Sequence, residues 1–252
     1  MDTTILIIAI GAMVAGFVQG LSGFAFSMVA MSFWVWAVDP MLAAALAVSG
    51  SLLGQILAML SVRRGFKMQR LLPFVVGGLL GIPLGVLVLP LLDANLFKAF
   101  LGALLAVWCP VMLLTPRLPA LQVGERLGGR LADGVVGAIG GFMGGIGGFS
   151  GVVPTLWCNL RQLDKDEQRA VIQNFNLAMQ AVTFATYVGS GIITRKTLPM
   201  FAVMAPAMLI PTLLGTRLYL GISDAAFRKI VLSLLTLSGI GLLASSLPKL
   251  LG

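Results

Sequence analysis

Histidine is missing from this chain altogether. Its absence removes imidazole proton relays and most zinc chemistry. Charge is scarce as well: Asp, Glu, Lys and Arg make up 10% of the 252 residues, against roughly 25% in a soluble domain. A surface so poor in charge must face hydrocarbon over most of its area. Acidic residues number 9 against 17 basic ones, and no acid falls inside an apolar stretch. A buried organic-cation site and a carboxylate for proton coupling therefore have no obvious residues. An intramembrane enzyme, which needs a nucleophile with a base or a metal cluster at depth, is disfavoured on the same ground. Only two cysteines occur, Cys109 and Cys158. Both sit in apolar segments without partner spacing, so they read as small hydrophobes and imply no disulfide and no metal.

What the chain has instead is long apolar runs. Residues 41–62, 71–92, 99–115, 170–193, 198–216 and 230–247 carry no charge. Each is long enough for a spanning helix, which needs about 20 residues and at least about 17. None alternates as a barrel strand would. The net charge of +8 sits in short loops between these runs, the pattern that membrane orientation produces, and not on a nucleic-acid-binding face. The start, Met1-Asp2-Thr3-Thr4, lacks the basic opening of a secretory signal, so the first apolar run is expected to be mature structure.

The sequence repeats itself. Gly16-Phe17-Val18-Gln19-Gly20-Leu21-Ser22-Gly23-Phe24 matches Gly141-Phe142-Met143-Gly144-Gly145-Ile146-Gly147-Gly148-Phe149 at a shift of 125. The same shift lays Asp39 on Asp164 and Gln55 on Gln180, and with small insertions Leu72-Pro73 falls on Leu198-Pro199. Internal repeats of this kind are a common plan of secondary transporters. Each copy opens with an uncharged segment broken by glycines, residues 3–38 and 134–160. Clustered glycines interrupt a helix, and irregular backbone at membrane depth survives only where protein or a water-filled cavity covers it. The arms of the second segment, about 10 and 12 residues, are too short to span. The glycines have a plainer reading too, as small residues that let helices pack closely. Gly11, on the first arm and away from the break, is expected to tolerate a side chain.

Charge sets the expected topology. If each opening segment is a hairpin that enters and leaves on one side, the two copies are inverted. Placing residues 63–70 inside then puts thirteen of the 17 Lys and Arg in the cytoplasm and leaves Lys98, Arg195, Lys196 and Lys249 outside. A single crossing would divide them far more evenly. The expected fold is an all-α integral membrane protein of one transmembrane domain. It has two inverted repeats, 1–118 and 119–252. Each is a glycine-broken re-entrant or discontinuous helical segment followed by three transmembrane helices, with both termini outside the cytoplasm.

Buried polar side chains in the spans coincide between copies. Ser51 and Gln55 superpose on Asn176 and Gln180, four apart in each case, and Ser49 superposes on Asn174. Interhelical hydrogen bonding explains such residues at about 0.6 kcal/mol each. A binding site explains the matched pair better, because unsatisfied amides are costly in hydrocarbon. The glycine breaks supply complementary chemistry. Each starts a short helix whose free N–H groups attract anions. The candidate substrate-binding residues are Ser22, Gly23, Ser27, Ser51, Gln55, Gly147, Gly148, Ser150, Asn174, Asn176 and Gln180, with Thr155 beside the second break.

The second break, G-x-x-G-G-x-G-G-F-x-G over residues 141–151 followed by Pro154, is similar to the signature of the sulfite exporter family TauE/SafE. The resemblance covers nearly the whole chain and implies about eight hydrophobic segments. It also implies transport of sulfite, sulfonates, sulfoacetate or another small organic anion across a bacterial inner membrane. In the first copy Gly20-Leu21-Ser22-Gly23 departs from the all-glycine form, so the two helix ends need not contribute equally. The expected function is a secondary carrier for a small anion working by alternating access, with an anion channel as the alternative. Its partners are that anion and the lipid bilayer, with no nucleic acid and no cofactor. Substrate, direction, driving ion and homo-oligomer formation are left open.

Overall fold

The computed structural model describes residues 3–22, 25–61, 68–114, 127–218 and 224–251. Gly23 and the basic segment 62–67 lie outside the described residues, so the expectations placed on them rest on sequence alone. The described chain is helical throughout, in the order α1 (Thr3–Ser22), α2 (Phe26–Trp34), α3 (Pro40–Ser61), α4 (Met68–Val88) and α5 (Ala94–Leu114). The order of lengths then recurs with α6 (Leu127–Gly147), α7 (Val152–Leu160), α8 (Lys165–Gly189), α9 (Leu198–Leu218) and α10 (Asp224–Leu251). Among the described residues six helices, α1, α3, α4, α5, α9 and α10, are long and apolar enough to cross a membrane.

The repeated aspartates turn out to be helix starters. Asp39 accepts the backbone N–H of Leu42 at 3.0 Å, and Asp164 accepts that of Glu167 at 3.3 Å. Asp93 does the same for Leu96 at 2.7 Å. Each satisfies one of the N–H groups that the first turn of a helix leaves unpaired.

Both opening segments fold back on themselves. Trp34, at the end of α2, donates its indole N–H to the carbonyl of Ile8 in α1 at 3.2 Å. Trp157 in α7 donates to Asp133 in α6 at 2.7 Å, and Arg161 pairs with the same carboxylate at 2.8 Å. The short arm therefore returns alongside the long one in each case, and each pair is a hairpin. Two expectations change here. The first arm of the second hairpin does not start at Gly134. It runs from Leu127 through 21 residues, about 31 Å at 1.5 Å per residue, long enough to span. An acid also lies within it: Asp133 is buried in α6. Arg161, 28 positions away, supplies the countercharge that makes its burial tolerable.

Glycine seams join the two halves. Gly77, Gly81 and Gly85 of α4 lie against Gly134, Ala138, Phe142 and Gly145 of α6, numbers rising together, so the helices run parallel. A Cβ on Gly81 would fall 2.7 Å from the backbone nitrogen of Phe142, so only a missing side chain permits this approach. Gly16 and Gly20 of α1 meet Met208, Thr212 and Thr216 of α9, again in parallel. In the third pair Gly102 of α5 faces Leu243 while Gly239 of α10 faces Ala106, so these helices are antiparallel. The long arm of each hairpin thus packs on a helix of the other half. The packing explanation holds for Gly16, Gly20, Gly141 and Gly145.

The core lies between the seams. Every residue from Ala43 to Val48 of α3 is fully buried, and α3 packs on α8 across the middle of the molecule. Apolar side chains also line the periphery, among them Leu80, Leu84 and Leu87 on α4 and Ile230, Leu234 and Leu237 on α10. Exposed at helical spacing, they suit a hydrocarbon surround.

Candidate functional site

Polar groups converge at one place, where α2, α3, α8 and the α6–α7 turn meet. Ser27, Ser51, Gln55, Gly148, Ser150, Asn176 and Gln180 line a small cavity there together with Met28, Phe149, Gly151 and Val152. It offers about 10 Å³ to the centre of a water-sized sphere, room for roughly one water. No ionisable side chain is among the lining residues.

The turn between α6 and α7 forms one wall. Gly148 has φ +79, the left-handed region that only glycine enters cheaply. A Cβ there would stand 2.5 Å from the Ser27 hydroxyl. The Gly148 carbonyl, directed by that turn, accepts Gln180 Nε2 at 2.8 Å. The same Nε2 lies 3.4 Å from Ser150 Oγ, whose proton goes to Asn176 Oδ1 at 3.2 Å. On the opposite wall the hydroxyls of Ser27 and Ser51 share a hydrogen bond of 2.6 Å. Ser51 and Gln55 on α3, and Asn176 and Gln180 on α8, are one turn apart on a buried face, so each helix presents both polar groups to the cavity.

The two helix ends are unlike. At the start of α2 the N–H of Phe26 is taken by Gln19 Oε1 at 3.0 Å, and that of Ala25 by Ser22 Oγ at 3.3 Å. One helical N–H at the start of α2, that of Phe26, is therefore met by its own hairpin. The residue 125 positions after Gln19 is Gly144, which has no side chain to reach across. The start of α7 has no side-chain cap; its first N–H, that of Val152, goes to Phe149 O at 3.1 Å, and Gly151 and Val152 line the cavity. Nine residues of α7 direct their aligned peptide dipoles at this end.

Seven of the eleven sequence candidates, Ser27, Ser51, Gln55, Gly148, Ser150, Asn176 and Gln180, come together in the lining. Ser22 is instead a cap for Ala25. Gly147 lies under the Phe149 ring, where a Cβ would approach it to 2.7 Å. Asn174 Nδ2 turns back to Ala170 O at 2.8 Å, and Ser49 Oγ to Ala45 O at 2.7 Å. Those two superposed residues share one role, inside their own helices. Thr155 is buried but outside the lining. Sequence reasoning missed Met28, Phe149, Gly151 and Val152, which carry no polar side chain. It also passed over Gln19, although its amide beside a break was visible in the first copy. Gly11 was misjudged as roomy: a Cβ there would meet the Trp34 indole, with Cδ1 at 2.9 Å.

Long apolar helices around a buried polar cavity at the α6–α7 break define a multi-pass membrane protein of the solute-transport class. The family described as sulfite exporter TauE/SafE matches residues 8–242, and the chain belongs to that family of membrane transporters of sulfur anions. No curated protein and no solved structure matches the chain.

Proposed function

We propose that the protein is a secondary carrier that moves sulfite, a sulfonate or sulfoacetate across the cytoplasmic membrane by alternating access. The anion sits between the α6–α7 turn and the polar faces of α3 and α8. The observation that carries this reading is a cavity lined by neutral hydrogen-bonding groups from both halves, set against the positive end of the α7 dipole. Oriented N–H groups and neutral amides bind an anion without a buried lysine, and the bound charge stays weakly held enough to leave.

The pairing of the helices supports alternating access. Parallel α1–α9 and α4–α6 pairs with an antiparallel α5–α10 pair fit two repeats, 1–118 and 119–252, related by a two-fold axis in the membrane plane. The base of the first hairpin keeps company with Lys98, whose Nζ lies 4.9 Å from the Trp36 ring. The base of the second gathers the Arg161–Asp133 and Arg70–Glu167 pairs, the latter at 3.1 Å. Basic residues crowd the second end, which is taken as cytoplasmic.

A thermal-shift screen of the purified protein against sulfite, sulfate, thiosulfate, sulfoacetate, taurine and simple carboxylates tests the reading. A ligand that binds the folded state raises its apparent stability by mass action. Saturable, exchange-stimulated flux of that ligand in proteoliposomes is expected. Flux that neither saturates nor exchanges would make the protein a channel.

A further inference from the structure

The Gln180 amide does more than complete the cavity wall. Its side chain is 3% exposed, and its Oε1 has no hydrogen-bond partner among the described residues. The orientation of the amide is fixed by its neighbour. Gly148 O is a carbonyl and can only accept, so the amide group 2.8 Å from it must be the NH2. The oxygen is left to the cavity as a buried acceptor with nothing to accept. Such an atom marks a missing donor.

We infer that Gln180 Oε1 selects an anion that carries its own hydrogen-bond donor, a singly protonated sulfur oxyanion or a sulfonate with an O–H or N–H group. This rests on the anion-carrier reading above. The positive end of the α7 dipole, Asn176 and the hydroxyl of Ser27 or Ser51 face the anionic oxygens, and Oε1 accepts a hydrogen bond from the ligand's donor. A fully deprotonated dianion of the same shape would set a negative oxygen against the lone pairs of Oε1 and leave that acceptor unmet. Affinity for such an ion is lower by at least about tenfold.

The protein's own titration does not enter the cavity. On the elements packed around α8, Asp133 pairs with Arg161 and Arg70 with Glu167, at the far end of the nine-residue α7. Tyr187 donates to Gly145 O at 2.7 Å. Cys158 and Arg169 also lie outside the lining, and the described side chains of α3 include no ionisable group. A pH dependence of binding therefore reports the ligand.

The experiment measures affinities of the full-length wild-type protein in nanodiscs. Sulfite, which loses its second proton near neutral pH, is titrated from acid to alkaline buffer, with sulfate as a dianion throughout. In parallel 2-hydroxyethanesulfonate is compared with ethanesulfonate, monoanions with and without a donor. The expected result is sulfite affinity, counted on total sulfite, falling by up to about tenfold per pH unit once the dianion dominates, while weak sulfate binding stays flat. A slope with sulfite assigns the donor to the oxyanion. A preference of at least about tenfold for the hydroxylated sulfonate assigns it to the organic tail. Gln180→Met should erase whichever effect is seen. Flat sulfite affinity with equal binding of the two sulfonates overturns the inference and leaves the carrier standing, as does sulfate sharing the slope. Binding of none of these anions overturns both.

Discussion

Asp133 stands 125 positions after Ile8, and each receives an indole N–H from the returning arm of its own hairpin. Trp34 reaches the Ile8 carbonyl, and Trp157 reaches the Asp133 carboxylate. The same level of the same hairpin is thus closed by a neutral bond in one half and by a charge-assisted one in the other. The second also recruits Arg161, with both side chains of the ion pair almost fully buried, at 7% and 6% exposure.

Breaking that ion pair should loosen the second hairpin alone. Asp133→Leu leaves Arg161 buried without a partner, an expected loss of about 3–5 kcal/mol. The double variant Asp133→Leu with Arg161→Met should recover most of it, because two apolar groups of similar volume replace the pair. Thermal unfolding of the three proteins in one detergent checks this. A double variant as unstable as the single one would mean the pair holds the hairpin by more than charge compensation.

Gly148→Ala meets two obstacles. Its backbone is left-handed, which costs an L-residue about 1–2 kcal/mol, and its Cβ would crowd the Ser27 hydroxyl. Lower thermal stability and weaker anion binding are expected together. The control is Gly241→Ala, since a Cβ there meets nothing within 4 Å. Gly11→Ala is no control, because the Trp34 ring fills that space.

At the start of α7, Ser150→Asp places a carboxylate where the anion is proposed to bind. It should remove anion binding, because a fixed negative group satisfies the positive helix end in the ligand's stead. Ser150→Ala loses the bond to Asn176 Oδ1 and the longer one from Gln180 Nε2, and should weaken binding by about two- to tenfold. Isothermal titration with the ligand found in the thermal screen separates the two. Wild-type affinity in Ser150→Asp would place the anion elsewhere.

For topology, reporter tags before residue 1 and after residue 252 should both map outside the cytoplasm, and a tag in the basic segment 63–70 inside it. Termini on opposite sides would remove the two-fold axis, and with it the alternating-access scheme.

Five of the six expected spans were legible because a bilayer asks about 20 apolar residues without charge of every spanning helix; the run at 170–193 became α8, too polar to be among the six candidate spans, and α1 took its place. The breaks were legible because duplication wrote them twice. The one-turn spacing of Ser51 with Gln55 and of Asn176 with Gln180 put each pair on one helical face before any fold was known. Asn174 could have been set apart by the same geometry, since two positions along a helix differ by about 200° from Asn176. Other features had no local signal. Asp133 looked like a loop charge, because what permits its burial is a guanidinium 28 residues away. Gly20 and Gly145 stood within the breaks, yet with Gly16 and Gly141 they serve seams with α9 and α4 from the opposite half, the packing role the sequence also allowed. Only the tertiary structure decided that the Gln19 side chain meets the first N–H of α2 while the Phe149 carbonyl meets that of α7, and that Gln180 Oε1 is left without a donor. Both depend on which side chain reaches which backbone group across a turn, and spacing along the chain does not fix that.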